Sequence, residues 1–230
     1  MTNQPKGIIS SVLSPACRAW LKSQVSQVEQ LDVNIAGGSR QILGGTIPRV
    51  AVVATEAVYQ GLWLDSINLI AENIRINLPQ VLRGQALRLL EPIAITAAAR
   101  LTEVGVQASL GAPMLSIAIN DLLSQILATE QLKTDWRVNW RTIRIVPQQL
   151  ILQGGLTTGD RTAPIEISMG INLLGKHILQ LDPIRIICAI DLPGSEITSY
   201  QIDLGTDVHL TQLTLGTGEL ICQGRIQVNP

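Results

Sequence analysis

The sequence predicts an α+β fold in which a long, curved antiparallel β-sheet wraps around one or two amphipathic α-helices. Three observations predict it. Residues 93–102 alternate, with Ile93, Ile95, Ala97, Ala99 and Leu101 on one face and Ala94, Thr96, Ala98, Arg100 and Thr102 on the other. A period of two marks a half-buried strand. Beyond Gly111 the period lengthens, and Leu115, Ile119, Leu122 and Ile126 recur every three or four residues, widened by Ala118, Leu123 and Leu127. That stripe is an amphipathic helix over about 112–131, with Pro113 at its start, where a missing N–H costs nothing. Finally, the strand expected over residues 62–77 alternates with slips: Leu62 and Leu64, then Ile67, Leu69 and Ala71, then Ile74, Ile76 and Leu78. One-residue slips imply bulges, which bend and twist a strand. Small alanines on the strand and bulky aliphatics on the helix place that helix against the concave face of the sheet.

In chain order, residues 7–30 read as a helix whose stripe is Ile9, Leu13, Cys17, Trp20, Leu21, Val25 and Val28. Pro15 disfavours its first turns, so Ser14 is a candidate N-cap. Only Lys6, Arg18 and Lys22 are basic near it, which favours packing on the body of the protein over lying on a membrane. Strands follow at 31–36, 41–43 and 46–60, the last with Val50, Val52, Ala54 and Val58 on one face. Pro79, Gly84 and Pro92 mark a connection with a helical turn at 79–82. From residue 136 the chain reads as β throughout, with turn signals about every ten residues, as in an antiparallel meander. Asp182 and Pro183 interrupt one of its strands. No linker divides the halves, so residues 1–230 are expected to form a single domain.

Composition limits the function. The 230 residues are 46% hydrophobic, only 15% charged, and include no Phe; average proteins are about 25% charged. Such a composition suggests aliphatic surface left for a ligand, a membrane or a partner, or simply a β-rich core with Gln, Asn and Thr covering the outside. A formal net charge of −1 is not that of a nucleic-acid binder. Cys17, Cys188 and Cys222 are odd in number and lack CxxC spacing, against a disulfide framework or a zinc site and for a reducing compartment. The first residues lack the apolar core and positive lead of a signal peptide, and no run reaches the roughly 18 apolar residues of a membrane span. A cytoplasmic protein, free or peripheral on a membrane, is expected.

Signatures of catalysis are absent: no phosphate loop, nucleophile elbow, HExxH or dinucleotide glycine fingerprint. No catalytic residue, metal or cofactor is expected. Arg137, Asp135 and His177 are the only local material for a hydrolase. Two basic clusters carry alternative readings. In 133–144, Trp136 and Trp140 share one face of a strand, and Arg137 and Arg141 the other. Tryptophan suits a membrane boundary and arginine a lipid phosphate, or the tryptophans fill a core while the arginines meet water. Arg83 and Arg88 flank Gly84, where backbone could approach a phosphate or simply turn in solvent.

The strings YQGLWLDSINLIAENIRINLPQVLRG and LTEVGVQASLGAPML, within a patterned stretch from Ile8 to Leu132, resemble the LmeA-like phospholipid-binding family of bacteria. The resemblance covers most of the chain and rests on pattern, with no catalytic motif. It implies an architecture like that of tubular lipid-binding proteins, with an apolar groove between a curved sheet and a long helix. It implies phospholipid or a membrane surface as the partner, in lipid binding or transfer. With the helix stripe, it nominates Leu115, Ile119, Leu122, Ile126, Ile93, Ile95, Ala97 and Ala99 as groove lining, and Trp136, Arg137, Trp140, Arg141, Arg83 and Arg88 as headgroup or membrane contacts. The competing expectation is a structural or scaffold protein whose apolar surface meets another protein.

Overall fold

The structure, a computed structural model, describes residues 18–19, 21–23, 25–81, 83–85, 88–126, 136–189 and 198–230. It is mainly β. Strands β1 (Gln30–Ala36), β2 (Thr46–Tyr59), β3 (Leu62–Arg75), β4 (Ile93–Thr102), β10 (Val208–Leu215) and β11 (Glu219–Val228) form one antiparallel sheet, in the order β1-β2-β3-β4-β11-β10. Strands β5 (Trp136–Val146), β6 (Gln149–Thr158), β7 (Arg161–Leu173), β8 (Ile178–Cys188) and β9 (Tyr200–Asp203) form a second, in sequence order. Two open sheets therefore replace the expected single long one.

The slips in β2 and β3 are real, and they coincide. Their pairing runs from Thr46↔Arg75 to Tyr59↔Leu62 in constant register, but the pairs 48/73 and 56/65 drop out of the ladder. Glu56 (φ 47) and Asn73 (φ 54) take left-handed backbone there. Each irregularity moves both strands to the opposite phase at once, so apolar residues stay on one face. Ala57, 3% exposed, thereby takes the inward place that plain alternation gives to Val58.

Beyond the N-terminal segment, four helices are described. The expected strand at 41–43 is instead α1 (Ser39–Leu43); the Gly38 N–H donates to Gln41 Oε1 at 3.1 Å and Ile42 is fully buried. A turn of helix, α2 (Leu78–Val81), stands where Pro79 places one. A third, α3 (Glu103–Ala108), begins directly at the end of β4, capped by Thr102, whose Oγ1 accepts the Gly105 N–H at 3.2 Å. The long helix α4 covers Pro113–Ile126; residues 127–131 of its expected span lie outside the described residues.

Of the expected N-terminal helix, residues 18–19 and 21–23 are helical, and residues 7–17 lie outside the described residues. Beyond 24 the helix does not continue. The Ser26 N–H donates to the Val58 carbonyl at 2.9 Å and the Val58 N–H to the Gln27 carbonyl at 2.8 Å. The end of β2 thus offers this backbone a strand-like partner, and β-branched Val25 and Val28 suit extended chain. Pro183 also departs from expectation. Strand β8 runs through it, opposite a bulge between Met169 and Ile171, which is where a strand tolerates a residue without an N–H.

The apolar side chains form two cores. The larger joins Ile119, Leu123 and Ile126 of α4 to the inward faces of β5–β8 and to Leu215 of the first sheet, with Leu101 and Leu220 of that sheet at its margin. The smaller lies against the first sheet and includes Val33, Ile35, Ile47, Ile74 and Ile93 of its strands with Ile42 of α1 and Leu78 of α2. A ring of backbone-based bonds ties the sheets together. The Glu103 N–H donates to the Gly218 carbonyl at 2.8 Å, the Gly218 N–H to the Ile145 carbonyl at 2.8 Å, and the Ile145 N–H to Glu103 Oε2 at 2.7 Å. Turns of the second sheet are also stitched to edge strand β10, through Gln148 N–H to the Leu215 carbonyl at 3.0 Å and Leu210 N–H to the Lys176 carbonyl at 2.6 Å.

Candidate functional site

On the inner face of the first sheet, the slips keep Val52, Ala54, Ala57, Leu64, Ile67 and Leu69 on a common surface. The N-terminal segment passes over it, placing Leu21, Val25 and Val28 opposite. Between them lies a cleft of about 260 Å³. Every lining residue is aliphatic except Tyr59. The covering segment is held by the Ser26–Val58 and Gln27–Val58 backbone bonds and by an exposed Arg18–Asp32 pair at 3.2 Å. An exposed pair of this kind contributes little, so backbone pairing and apolar contact hold the cover.

The apolar face continues beyond the cleft onto β4. Ala99 pairs with Ile67, Ala97 with Leu69, and Ile95 with Ala71. On the far side, Ala99 pairs with Cys222 and Ala97 with Gly224. Ile95, Ala97 and Ala99 are only partly buried, whereas Ile93 is buried in the smaller core. Burial pushes the Cys222 thiol above its ordinary pKa, as a low-dielectric surrounding disfavours the thiolate.

The expected lining residues do not come together. Ile93, Ile95, Ala97 and Ala99 belong to the face of the first sheet. Leu115, Ile119, Leu122 and Ile126 belong to the core of the second, where Ile119 and Ile126 are buried and Leu115 and Leu122 pack at the margin. Side chains of the second sheet also anchor α4. The Trp140 indole N–H donates to Asn120 Oδ1 at 3.1 Å, and the Tyr200 hydroxyl to Gln125 Oε1 at 2.8 Å.

The expected membrane contacts also divide. Trp140 is 7% exposed and fully engaged in the core, so it is not a surface anchor; Trp136 packs half-buried beside it. Arg137 and Arg141 are exposed on the opposite face of β5, and Arg141 borders a shallow, open hollow with Gln153, Glu166 and Ile187. Arg83 and Arg88 are exposed on the connection between β3 and β4. His177 sits 4.0 Å from Asp203, far along the chain from Arg137, and Asp135 lies outside the described residues. Among the described residues, no group of His, Cys, Asp and Glu is arranged to hold a metal, and no helix is long and apolar enough to cross a membrane.

The cleft itself was not visible as a site in the sequence. Its cover depends on the chain leaving the helix before Val25, yet Val25 and Val28 fit the helical stripe as well as they fit extended chain. A family model described as LmeA-like phospholipid-binding matches residues 6–225. No curated protein matches the chain, and no solved structure does.

Proposed function

The chain belongs to the LmeA-like phospholipid-binding family, and on that premise we propose that it holds a phospholipid acyl chain, without catalysis, in the cleft between residues 21–28 and the inner face of β2 and β3. The lining carries this reading: ten aliphatic side chains and one aromatic ring enclose the space. Each buried CH₂ contributes about 0.8 kcal/mol, so an apolar wall binds a chain with no polar code. The cleft's 260 Å³ falls just below the roughly 300–1,000 Å³ of common small-molecule sites. It suits part of one chain, with the remainder running over Ile95, Ala97 and Ala99 on β4. In this reading both sheets make one lipid-binding domain. The α4 residues serve its structural core, and transfer follows if lipid exchanges with vesicles.

Native mass spectrometry after detergent-free purification, followed by uptake from phosphatidylcholine liposomes, tests the proposal. Wild type is expected to carry phospholipid, and Ile67→Trp and Leu69→Trp, which fill the cleft, to carry little. Ile187→Trp, on the exposed face of the second sheet, keeps the wild-type load. No lipid on wild type, or equal loads on all variants, overturns the reading and favours a protein scaffold.

A further inference from the structure

The connections at one end of the six-stranded sheet form a tip. Helix α1 joins β1 to β2 there, and residues 76–92 join β3 to β4. They are bound to each other by the Ile76 N–H, which donates to the Gly45 carbonyl at 2.9 Å, and the second is closed on itself by the Leu90 N–H, which donates to the Arg75 carbonyl at 2.8 Å. Gly45, at φ 83, makes this approach possible, because a Cβ on it would lie 2.5 Å from the Ile76 carbonyl oxygen. Asn77 is buried and reinforces the closure, accepting the Arg88 N–H through Oδ1 at 2.7 Å.

Two leucines project from this tip into solvent, Leu43 at 50% exposure and Leu90 at 54%. Nothing in the smaller core requires either, since Ile42, Ile76 and Leu78 already fill it. Three arginines, Arg40, Arg83 and Arg88, are exposed around them. Among the described residues none of the three has a carboxylate partner. The nearby acids are taken, Glu72 by Arg49 at 2.7 Å and Glu91 by Arg75 at 3.4 Å. Asp207, at the same end, lies across β4 and β11 at the β10 edge, within 3.4 Å of Asn229. Between Arg88 and Leu90 the surface dips into a hollow of about 440 Å³, floored by Asn77, Gln80 and Gln85.

We infer that this tip docks on the surface of an anionic lipid bilayer. The net positive charge selects the occupant: Arg40, Arg83 and Arg88 meet lipid phosphates while Leu43 and Leu90 enter the boundary of the acyl region. The hollow beside Arg88 is large enough to receive a headgroup. The inference extends the proposed lipid binding by naming where the lipid comes from, and it fails separately from it.

Co-sedimentation with phosphatidylcholine vesicles, with and without phosphatidylglycerol, tests the inference. Wild type is expected to partition onto the anionic vesicles and to release as salt rises. The triple variant Arg40→Gln, Arg83→Gln, Arg88→Gln loses roughly a hundredfold in partition, at about fivefold per arginine near the surface. Leu43→Ser with Leu90→Ser weakens binding but keeps its salt dependence. Monomeric short-chain phosphatidylcholine still fills the cleft of the triple variant, whereas Ile67→Trp loses that lipid yet still sediments with anionic vesicles. Equal binding to both vesicle types, no binding of wild type, or a triple variant that binds normally overturns the docking inference.

Discussion

The Glu103 carboxylate accepts the backbone N–H of Ile145 at 2.7 Å. One helical turn on, Gln107 accepts the Ile143 N–H through Oε1 at 2.8 Å and donates from Nε2 to the Arg141 carbonyl at 2.7 Å. Strand β5 is an edge strand, bulged between Trp140 and Thr142. Residues four apart share one helix face, so a single side of α3 covers the edge that a strand would otherwise expose to pairing with another chain. Removing the acceptor strands a buried N–H. Glu103→Ala is expected to cost about 1.5–3 kcal/mol, in the range for bonds to charged groups, and Glu103→Gln less, since it retains an acceptor. Urea denaturation midpoints measure both, and equal midpoints for wild type and Glu103→Ala would remove this role.

Asp65 supports the same helix from behind. Its carboxylate accepts the Thr102 N–H at 2.7 Å and the Thr102 hydroxyl at 2.9 Å, and Thr102 caps α3. Thr102→Val is expected to cost about 1 kcal/mol for the lost cap. The pair Asp65→Ala and Thr102→Val should be non-additive by about 0.5–3 kcal/mol, as for residues sharing one network. Additive losses in a double-mutant cycle would show that the two act independently.

The location of Trp140 gives an optical test. Buried beside α4, its fluorescence is expected to be shielded from acrylamide and unchanged by anionic vesicles, in a variant whose other tryptophans are replaced by phenylalanine. A blue shift on vesicle addition would instead make the second sheet the membrane-facing surface.

Cys222 links the apolar face to pH. Burial raises its thiol pKa, so the folded state favours the neutral form. The resulting stability is complete below the unfolded thiol value of about 8.5. It is lost as pH rises from there through the higher folded value. Cys222→Ala is expected to flatten that part of the fall in denaturation midpoint above pH 8.5. Lipid loading should also slow alkylation of Cys222, which pairs with Ala99 on the face extending from the cleft. Equal alkylation rates with and without lipid would confine the lipid elsewhere.

Much of the first sheet was legible in the sequence because its signals are local. The phase changes between Leu64 and Ile67 and between Ala71 and Ile74 mark the two irregular pairs in the ladder. Other elements were hidden for physical reasons. The three residues Gln41–Leu43 are too few to show a helical period, and the buried Ile42 fits a strand equally well. Helix α3 follows β4 without a break, and Val104 and Val106 still alternate as in a strand, one position out of phase with Leu101; Thr102 before Glu103 was the available capping signal. Which sheet receives α4 is a tertiary choice. Its stripe fixes an apolar face but not the partner, and Trp140, through Asn120, sets it against the second sheet. The cleft likewise exists only because distant residues 21–28 cross β2 and β3.

Photo-crosslinking locates the bound acyl chain on the protein. Phosphatidylcholine bearing a diazirine on its acyl chain is loaded into the protein, irradiated, and its adducts mapped by peptide mass spectrometry. Adducts are expected on residues 52–69 and on the covering residues 21–28. Adducts confined to residues 113–126 of α4, or none on a protein shown to carry the lipid, would contradict binding in the cleft.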